Sequence, residues 1–325
     1  MMNSSTYKKI FAMQKKIRSV EEKISNNYKH NLMRCPTHLS IGQEAVAAAS
    51  GMALSKKDIS ISYHRSHAHY LAKGGSSKKL FAELHGYEEG CSKGIGGSMH
   101  LIDLKNNFYG STAIVSNSIP IGVGLSYSLK INKQKNLVCI YVGDASLEEG
   151  VFYESLNFCV IKKLPVVFIC ENNFYSVYTH IKDRQPIKRK PFKLAEAIGA
   201  KSFKFDQNNP FILFSKLKKI FEGIRNNPFP HFIEIETYRY LEHCGPNDDT
   251  QLGYRKLQEI NNWKDKDPLV FSRKYILNNK ILNKKKMDLI EKNILKNINL
   301  EFDSIKKYKK PKFNKIKKFV YKNEH

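Results

Sequence analysis

The chain has 325 residues, 41% of them hydrophobic, and a formal net charge of +25. This length and composition allow a sizeable buried core and exclude a disordered chain. No apolar run approaches the roughly 20 residues that cross a bilayer, and the amino terminus lacks the apolar stretch of a secretory signal. We therefore expect a globular, cytoplasmic protein without a membrane partner.

The positive charge raises the alternative of a nucleic-acid-binding protein, because lysine and arginine displace counterions from phosphate backbones. The excess is mostly lysine and is densest after residue 270, where asparagine and isoleucine accompany it. The sequence signatures of nucleic-acid-binding modules are missing. The basic tail is therefore interpreted as a solvated helix face, and docking of an acidic acyl-carrier partner is the alternative function for it.

Helices and short strands alternate along the chain. Apolar residues at helical spacing predict a helix over residues 6–27, and "LSIGQEAVAAASGMAL" predicts a second one in which Ser40 and Gln43 form a capping box. "DISISYHRSH" predicts a strand, "SSKKLFAELHGY" a helix, and "GIGGSMHLIDLKNNFYGSTAIV" an irregular loop. "SIPIGVGLSYSLK" predicts a helix whose small residues allow close packing.

The next three segments predict a strand–helix–strand unit: "NLVCIYVGD", "SLEEGVFYESLNFCVIKK" and "LPVVFICENN". Strands that alternate with helices indicate a parallel sheet covered on both faces. The predicted fold class is therefore α/β, a doubly wound parallel sheet with helices on both faces.

Two polar residues follow the two strands of this unit. Asp144 follows the first strand and Asn173 the second, 29 residues later, close to the roughly 30 residues of a βαβ unit. Parallel strands end at one edge of a sheet, so the side-chain oxygens of both residues can bind one Mg²⁺ there. A helix that begins at Ser146 would direct its backbone N–H groups at an anion in the same place. Taken singly, an aspartate after a strand is often a helix cap, and paired asparagines often form turns.

The segment "GDASLEEGVFYESLNFCVIKKLPVVFICENNFYSVYT" resembles the thiamine-diphosphate motif of the α subunit of E1 components of 2-oxo acid and acetoin dehydrogenases. "HLSIGQEAVAAASGMAL", "YHRSHAHYLAKGG" and "YRYLEHCGPNDDTQLGYR" occur in the order of the same family. The resemblance implies a thiamine-diphosphate-binding fold in one domain, residues 1–325. A helical extension would span about residues 1–55, and a lysine-rich helical tail about residues 265–325.

The resemblance also implies roles for individual residues. Side-chain oxygens of Asp144 and Asn173 and the backbone carbonyl of Tyr175 would bind Mg²⁺. Contacts to thiamine diphosphate would come from His64, Arg65, Ala113, Val115, Gly143, Asp144, Ala145, Ser146, Asn173, Tyr175 and His243. Within this set Arg65 would hold the diphosphate, and the backbone around Ala113 and Val115 would hold the aminopyrimidine.

Catalysis by this cofactor needs a carboxylic acid at N1′ of its aminopyrimidine, and no residue of this chain is placed to supply it. In the family that acid is a glutamate of a separate β subunit, which implies an α₂β₂ heterotetramer. The implied reaction decarboxylates a 2-oxo acid, or cleaves acetoin, and passes the acyl or hydroxyalkyl unit to an acceptor such as the lipoyl group of an E2 component. His67 and His243 are the predicted catalytic residues. A split decarboxylase or transketolase-like subunit of another pathway, such as surface-sugar synthesis, is the alternative.

Several positions depart from the family pattern. Ala145 replaces the usual glycine after Asp144, His64 replaces a tyrosine, and "CGPNDDT" replaces the regulatory serines of some members, so control by a kinase is not expected. His64, His67 and His69 could instead bind zinc, although Arg65 among them would repel a cation. Cys244 is interpreted as a structural thiol, and "GIGGS" as a tight loop, because it lacks the spacing of a phosphate-binding loop.

Overall fold

The computed structural model describes residues 2–33, 35–312 and 314–316. The strands are β1 (Ile59–Ser62), β2 (Phe108–Ser111), β3 (Val138–Gly143), β4 (Val166–Asn172), β5 (Tyr175–Ser176), β6 (Thr179–His180), β7 (Lys201–Asp206) and β8 (His231–Glu236). Six of them form one parallel sheet in the order β2-β1-β3-β4-β8-β7, while β5 and β6 form a small antiparallel hairpin.

Twelve α-helices accompany the strands in the described part of the chain. They are α1 (Ser4–Tyr28), α2 (Glu44–Ala53), α3 (His67–Ala72), α4 (Ser77–Leu84), α5 (Ser118–Ile131), α6 (Gly150–Lys162), α7 (Ile181–Arg184), α8 (Pro191–Ile198), α9 (Pro210–Asn226), α10 (Leu257–Asp265), α11 (Pro268–Asn278) and α12 (Lys284–Ser304).

Helices cover both faces of the sheet, as the near-continuous apolar sequences of β3 and β4 require. On one face Tyr141 and Ile169 pack with residues of α1, α2, α9 and α11. On the other face Ile140 and Phe168 pack with residues of α5, α6 and α8. The α/β fold with a doubly wound parallel sheet predicted from the sequence is confirmed. The division into one domain with a helical extension and a tail stays a prediction.

A second layer of helices packs outside the sheet. The carboxyl-terminal half of α1 contributes Ile17, Val20 and Ile24 to a core shared with α3, α4 and α12, including Phe302. The apolar stripe predicted over residues 6–27 therefore contacts two different cores along one helix. This packing places α1 directly behind the segment that follows β1.

Three local predictions were wrong. The second helix begins at Glu44 without a capping box: the Ser40 hydroxyl has no hydrogen-bond partner among the described residues, and the Glu44 carboxylate accepts the N–H of Gly42 instead. Residues 144–148 form a 3₁₀ turn, so α6 begins at Gly150 and not at Ser146. The predicted irregular loop contains β2, which has too few residues to show a strand pattern.

Candidate active site at the carboxyl edge of the sheet

The chain reverses its direction of winding between β1 and β3. From β1 the sheet continues to β2 on one side and to β3, β4 and β8 on the other. A crevice forms outside the carboxyl ends of strands at such a switch point, and this is where α/β proteins bind ligands. The crevice here has a volume of about 170 Å³.

Eleven residues predicted to contact a cofactor all line this crevice: His64, Arg65, Ala113, Val115, Gly143, Asp144, Ala145, Ser146, Asn173, Tyr175 and His243. They come from the segments that follow four neighbouring strands and from the loop that follows β8. His38, Tyr63, Met99, Ser176 and Val177 complete the lining. The fold therefore brings together residues that lie almost 180 positions apart in the sequence.

Asp144 is the carboxylate on the crevice wall, and Arg184 neutralises it. The Asp144 side chain is buried and accepts a hydrogen bond from the Arg184 guanidinium, which also bonds Glu148. Burial raises the pKa of Asp144 above its usual range, and the charge of Arg184 opposes that rise. A carboxylate in this position needs a cation, and Arg184 provides that cation in the structure.

Asn173 begins a tight loop after β4. Its side-chain oxygen accepts the N–H of Tyr175 at 3.1 Å, and its amide donates to the Gln43 side chain at 3.3 Å. The next residue, Phe174, has φ +70°, which turns the chain sharply back on itself. The Tyr175 hydroxyl donates to Glu259 at 2.9 Å, so the tyrosine ring is anchored by α10 and not by the crevice.

Arg65 is a buried cation without a carboxylate partner among the described residues. The residue is 2% exposed, and its guanidinium donates to the backbone carbonyls of Leu39 at 2.6 Å and His243 at 3.0 Å. Its Nε finds no acceptor in the part of the chain that the structure describes. Burial lowers the pKa of Arg65. Because a buried, unpaired charge is costly, this arrangement fits an anion that binds in the crevice.

Three histidine rings lie beside Arg65. The ring centroids of His38, His64 and His243 are separated by 4.6, 5.0 and 5.4 Å. Burial, with the charge of Arg65 second, lowers the pKa of His64 and of His243 to about 3, and the pKa of His38 falls further. Their possible ligand atoms lie within 4.8 Å of one another, but the positive charge of Arg65 favours an anion here over a metal ion.

His67 lies behind the crevice wall and not on it. Its Nδ1 is 3.2 Å from Glu21 and its Nε2 is 2.9 Å from the Ser98 hydroxyl. His69 points elsewhere, with Nδ1 at 2.9 Å from the Ser62 hydroxyl. The alternative zinc site formed by His64, His67 and His69 is therefore wrong, because the three rings do not converge.

The "GIGGS" segment is organised by a carboxylate. Glu83, fully buried on α4, accepts the backbone N–H groups of Ser92, Gly94, Gly96 and Gly97 at 2.7 to 3.1 Å. These donors are thus satisfied within the chain and cannot hold a phosphate. The interpretation of this segment as a tight loop beside the site agrees with the structure.

Two residues in or beside the crevice could not be predicted from their sequence neighbourhood. His38 follows no strand, and its only signal is its position at the start of the segment "HLSIGQEA". Arg184 lies in a polar stretch without periodicity, and its contact with Asp144 depends on how residues 177–190 fold back over the 3₁₀ turn.

The fold and the crevice define a class of protein: a doubly wound α/β protein whose crevice at the switch point is lined by the buried Arg65 and by Asp144 and Asn173. The family model described as "Dehydrogenase E1 component" matches residues 12–314, and the chain belongs to this family. It is therefore a component of a thiamine-diphosphate-dependent oxidoreductase, which confirms the resemblance predicted from the sequence.

Relatives share most of their length with this chain. The "Pyruvate dehydrogenase E1 component subunit alpha" of Rickettsia felis is 38% identical over 278 residues, which are 86% of this chain and 84% of the relative. The mitochondrial protein of that name from Dictyostelium discoideum is 34% identical over 87% of this chain and 74% of its own. The "Pyruvate dehydrogenase E1 component subunit alpha" of Porphyra purpurea is 30% identical over 94% of this chain and 89% of the relative. No described helix of the chain combines the length and apolar composition of a membrane span.

Proposed function

We propose that this chain is the α subunit of an α₂β₂ E1 enzyme that decarboxylates a 2-oxo acid, pyruvate in the first instance, and passes the acyl unit to a lipoyl group of an E2 component. The names of the relatives support pyruvate over acetoin as the substrate. The observation that carries the proposal is the buried guanidinium of Arg65, which has no carboxylate partner among the described residues and faces the crevice that Asp144 lines.

The residues of the crevice fit thiamine diphosphate and Mg²⁺. Arg65 would hold the diphosphate through its guanidinium, with His64 and His243 as further donors. Side-chain oxygens of Asp144 and Asn173 and the Tyr175 carbonyl would bind Mg²⁺, which prefers oxygen ligands. When bound, the cofactor supplies the carbon nucleophile and the electron sink for decarboxylation.

The remaining wall residues would orient the cofactor. Gly143, Ala145 and Ser146 lie on the turn beside Asp144, and the Ser116 hydroxyl donates to the Ser146 carbonyl at 3.0 Å. This bond ties the loop that carries Ala113 and Val115 to the diphosphate side. His243 lines the crevice, and the proton-transfer role proposed for it requires that a bound anion offset the charge of Arg65 and raise its pKa from about 3.

The crevice is suited to a site shared between two chains. Its volume of about 170 Å³ lies below the roughly 300–1,000 Å³ of complete ligand pockets. Its lining offers one carboxylate, Asp144, and that group is already paired with Arg184. The acid required at N1′ of the cofactor would therefore come from a glutamate of the β subunit.

An exposed apolar surface supports the partner. Helices α5 and α6 expose Ile121, Ile131 and Ile161, and the exposed rings of Tyr127 and Phe158 contact each other with centroids 5.5 Å apart. Helix α5 follows directly on the crevice loop at residues 113–116. We assign this surface to the β-like subunit, because a partner that completes the site must contact the chain beside its open side.

The proposal can be tested by calorimetric titration of thiamine diphosphate and Mg²⁺ into the chain, alone and with its β-like partner. We expect tight binding with the partner, and its loss in Asp144→Ala, since the metal loses a charged ligand. Turnover of pyruvate, other 2-oxo acids and acetoin by the complex would then identify the substrate. Absence of binding in the correctly assembled wild-type complex would refute the proposed function.

A further inference from the structure

A chain of hydrogen bonds lies directly behind the crevice wall and connects three separate segments. Glu21 on α1 contacts His67 Nδ1 at 3.2 Å, and His67 Nε2 contacts the Ser98 hydroxyl at 2.9 Å. The Ser98 oxygen also accepts the backbone N–H of His38 at 3.4 Å. The chain therefore runs from a helix of the outer layer to a residue on the crevice wall.

Each link of this chain is shielded from water. Glu21 and His67 have no exposed surface, and Ser98 is 1% exposed. The second carboxylate oxygen of Glu21 has no partner among the described residues. A buried carboxylate with a single hydrogen-bonding partner contributes little to stability, because removing it from water costs several kcal/mol. The arrangement is therefore better explained by the geometry that it imposes than by the energy that it adds.

The bonds also fix the direction in which each group donates. With Nδ1–H donating to Glu21, Nε2 of His67 accepts the hydroxyl hydrogen of Ser98, which leaves the oxygen lone pairs of Ser98 free to accept from His38. The Glu21 carboxylate thus determines the orientation of the imidazole, and the imidazole determines the orientation of the serine.

The three segments carry much of the crevice wall around Arg65, which we call the anion-binding wall. His67 is two residues after Arg65, Ser98 directly precedes Met99 on the wall, and His38 contributes a ring that lies 4.6 Å from His64. A small displacement of Ser98 or His67 would therefore be transmitted to Arg65, to Met99 and to the His38 ring. Sites that depend on geometry lose affinity when such supporting bonds are removed.

We propose that Glu21, His67 and Ser98 are positioning residues, which set the geometry of the anion-binding wall without contacting the ligand. This inference rests on the proposed function, since the ligand is the diphosphate of the cofactor. It also replaces the direct catalytic role predicted for His67 by a supporting one, and it leaves proton handling at the crevice to His243.

The test compares variants in the complex with the β-like subunit, using calorimetric titration of thiamine diphosphate and Mg²⁺ together with thermal unfolding. Glu21→Ala and Ser98→Ala should weaken cofactor binding about 10- to 100-fold. Glu21→Gln retains an oxygen that accepts from His67 and should restore most of the affinity. Asp58→Asn is the matched control. Asp58 is a fully buried carboxylate that pairs with Arg225 at 2.6 Å. It directly precedes β1, at the opposite end of the strand from the crevice.

Two further results decide between a positioning and a purely structural role. Asp58→Asn should lower the melting temperature while leaving cofactor affinity within about twofold of the wild type, since it does not touch the wall. If Ser98→Ala and Glu21→Ala also lower only the melting temperature, the network is purely structural and the inference is wrong. A His67→Gln variant with normal affinity and a reduced kcat would overturn it too, by showing direct catalysis. Failure of the wild type to bind would instead refute the proposed function.

Discussion

Arg65 is the buried charge on which the proposed anion site rests. Its guanidinium donates to two backbone carbonyls, and no described carboxylate neutralises it. Arg225, by contrast, has a carboxylate partner, because it forms an ion pair with the fully buried Asp58. The two arginines should therefore respond differently to the same substitution.

We expect Arg65→Met to leave the free energy of unfolding of the cofactor-free chain unchanged within about 1 kcal/mol, or to raise it, because a charge without a partner is removed from the interior. Arg225→Met should destabilise by about 3–5 kcal/mol, because it leaves Asp58 buried and unpaired. Urea unfolding measures both changes, and cofactor binding should be lost only in Arg65→Met. An equal destabilisation by the two variants would contradict the anion-site interpretation.

The crevice histidines predict a pH dependence. The pKa of His64 and of His243 is about 3 in the folded chain, against an ordinary value of 6.5. Between these values the unfolded chain binds protons that the folded chain does not, so the stability of the cofactor-free protein should fall as the pH falls from 6.5 towards 3. Urea unfolding at several pH values should show a shallower dependence in the double variant His64→Gln, His243→Gln. The same slope in both proteins would contradict the prediction.

At the residue scale, side chains at the end of a strand are more predictable from the sequence than side chains that fold over it. Asp144 and Asn173 could be placed because parallel strands end at a common edge. The pairing of Asp144 with Arg184 could not, because it depends on a loop whose conformation is set by tertiary contacts.

At the element scale, residues 177–190 close over the predicted metal position. Arg184 bonds Asp144 and Glu148, and Arg189 donates to the Leu147 carbonyl at 3.2 Å. Because Arg184 and Mg²⁺ would compete for one carboxylate, Arg184→Gln should increase the affinity for Mg²⁺ several-fold in calorimetric titrations. Arg189→Gln is the control, since it loosens the same segment without freeing Asp144. An equal change in both variants would mean that loop closure, and not competition, governs the affinity.

Helix α5 packs against the sheet through glycine. A Cβ atom on Gly122 would lie 2.6 Å from the Ile140 side chain, whereas one on Gly124 would meet nothing within 4 Å. Gly122→Ala should therefore destabilise by about 1–3 kcal/mol through overpacking. Gly124→Ala should stabilise by about 0.5–1 kcal/mol, because alanine favours a helix interior. Thermal unfolding distinguishes the two, and destabilisation by both would argue against close packing as the cause.

Long periodic segments are predictable from the sequence, and short or context-dependent ones are not. The sheet strands β3 and β4 and the helices α1 and α5 carry their patterns in their own residues. The predicted start of α6 lies four residues too early, because the turn at residues 144–148 is held in a 3₁₀ conformation by its surroundings. The strand β2 is recognisable only through its pairing with β1.

At the scale of the whole molecule, the apolar surface of α5 and α6 should determine assembly. We expect Ile121→Glu combined with Ile161→Glu to abolish association with the β-like subunit in analytical ultracentrifugation, because two charges would be buried without partners. Leu289→Glu combined with Leu300→Glu on α12 is the matched control, since these side chains are also exposed but lie on another helix. Loss of assembly in the control, or its persistence in the first variant, would show that another surface is used.

The hydrogen bonds of the Glu83 carboxylate determine how early the glycine segment beside the site can become ordered during folding. Its four amide partners lie only 9 to 14 residues away in the sequence, so closing these contacts costs little chain entropy. The glycine segment can therefore become ordered from local contacts alone, before the sheet edge exists. In a pulsed hydrogen-exchange experiment these amides should be protected early, whereas those of the loop after β4 must wait until distant strands have paired.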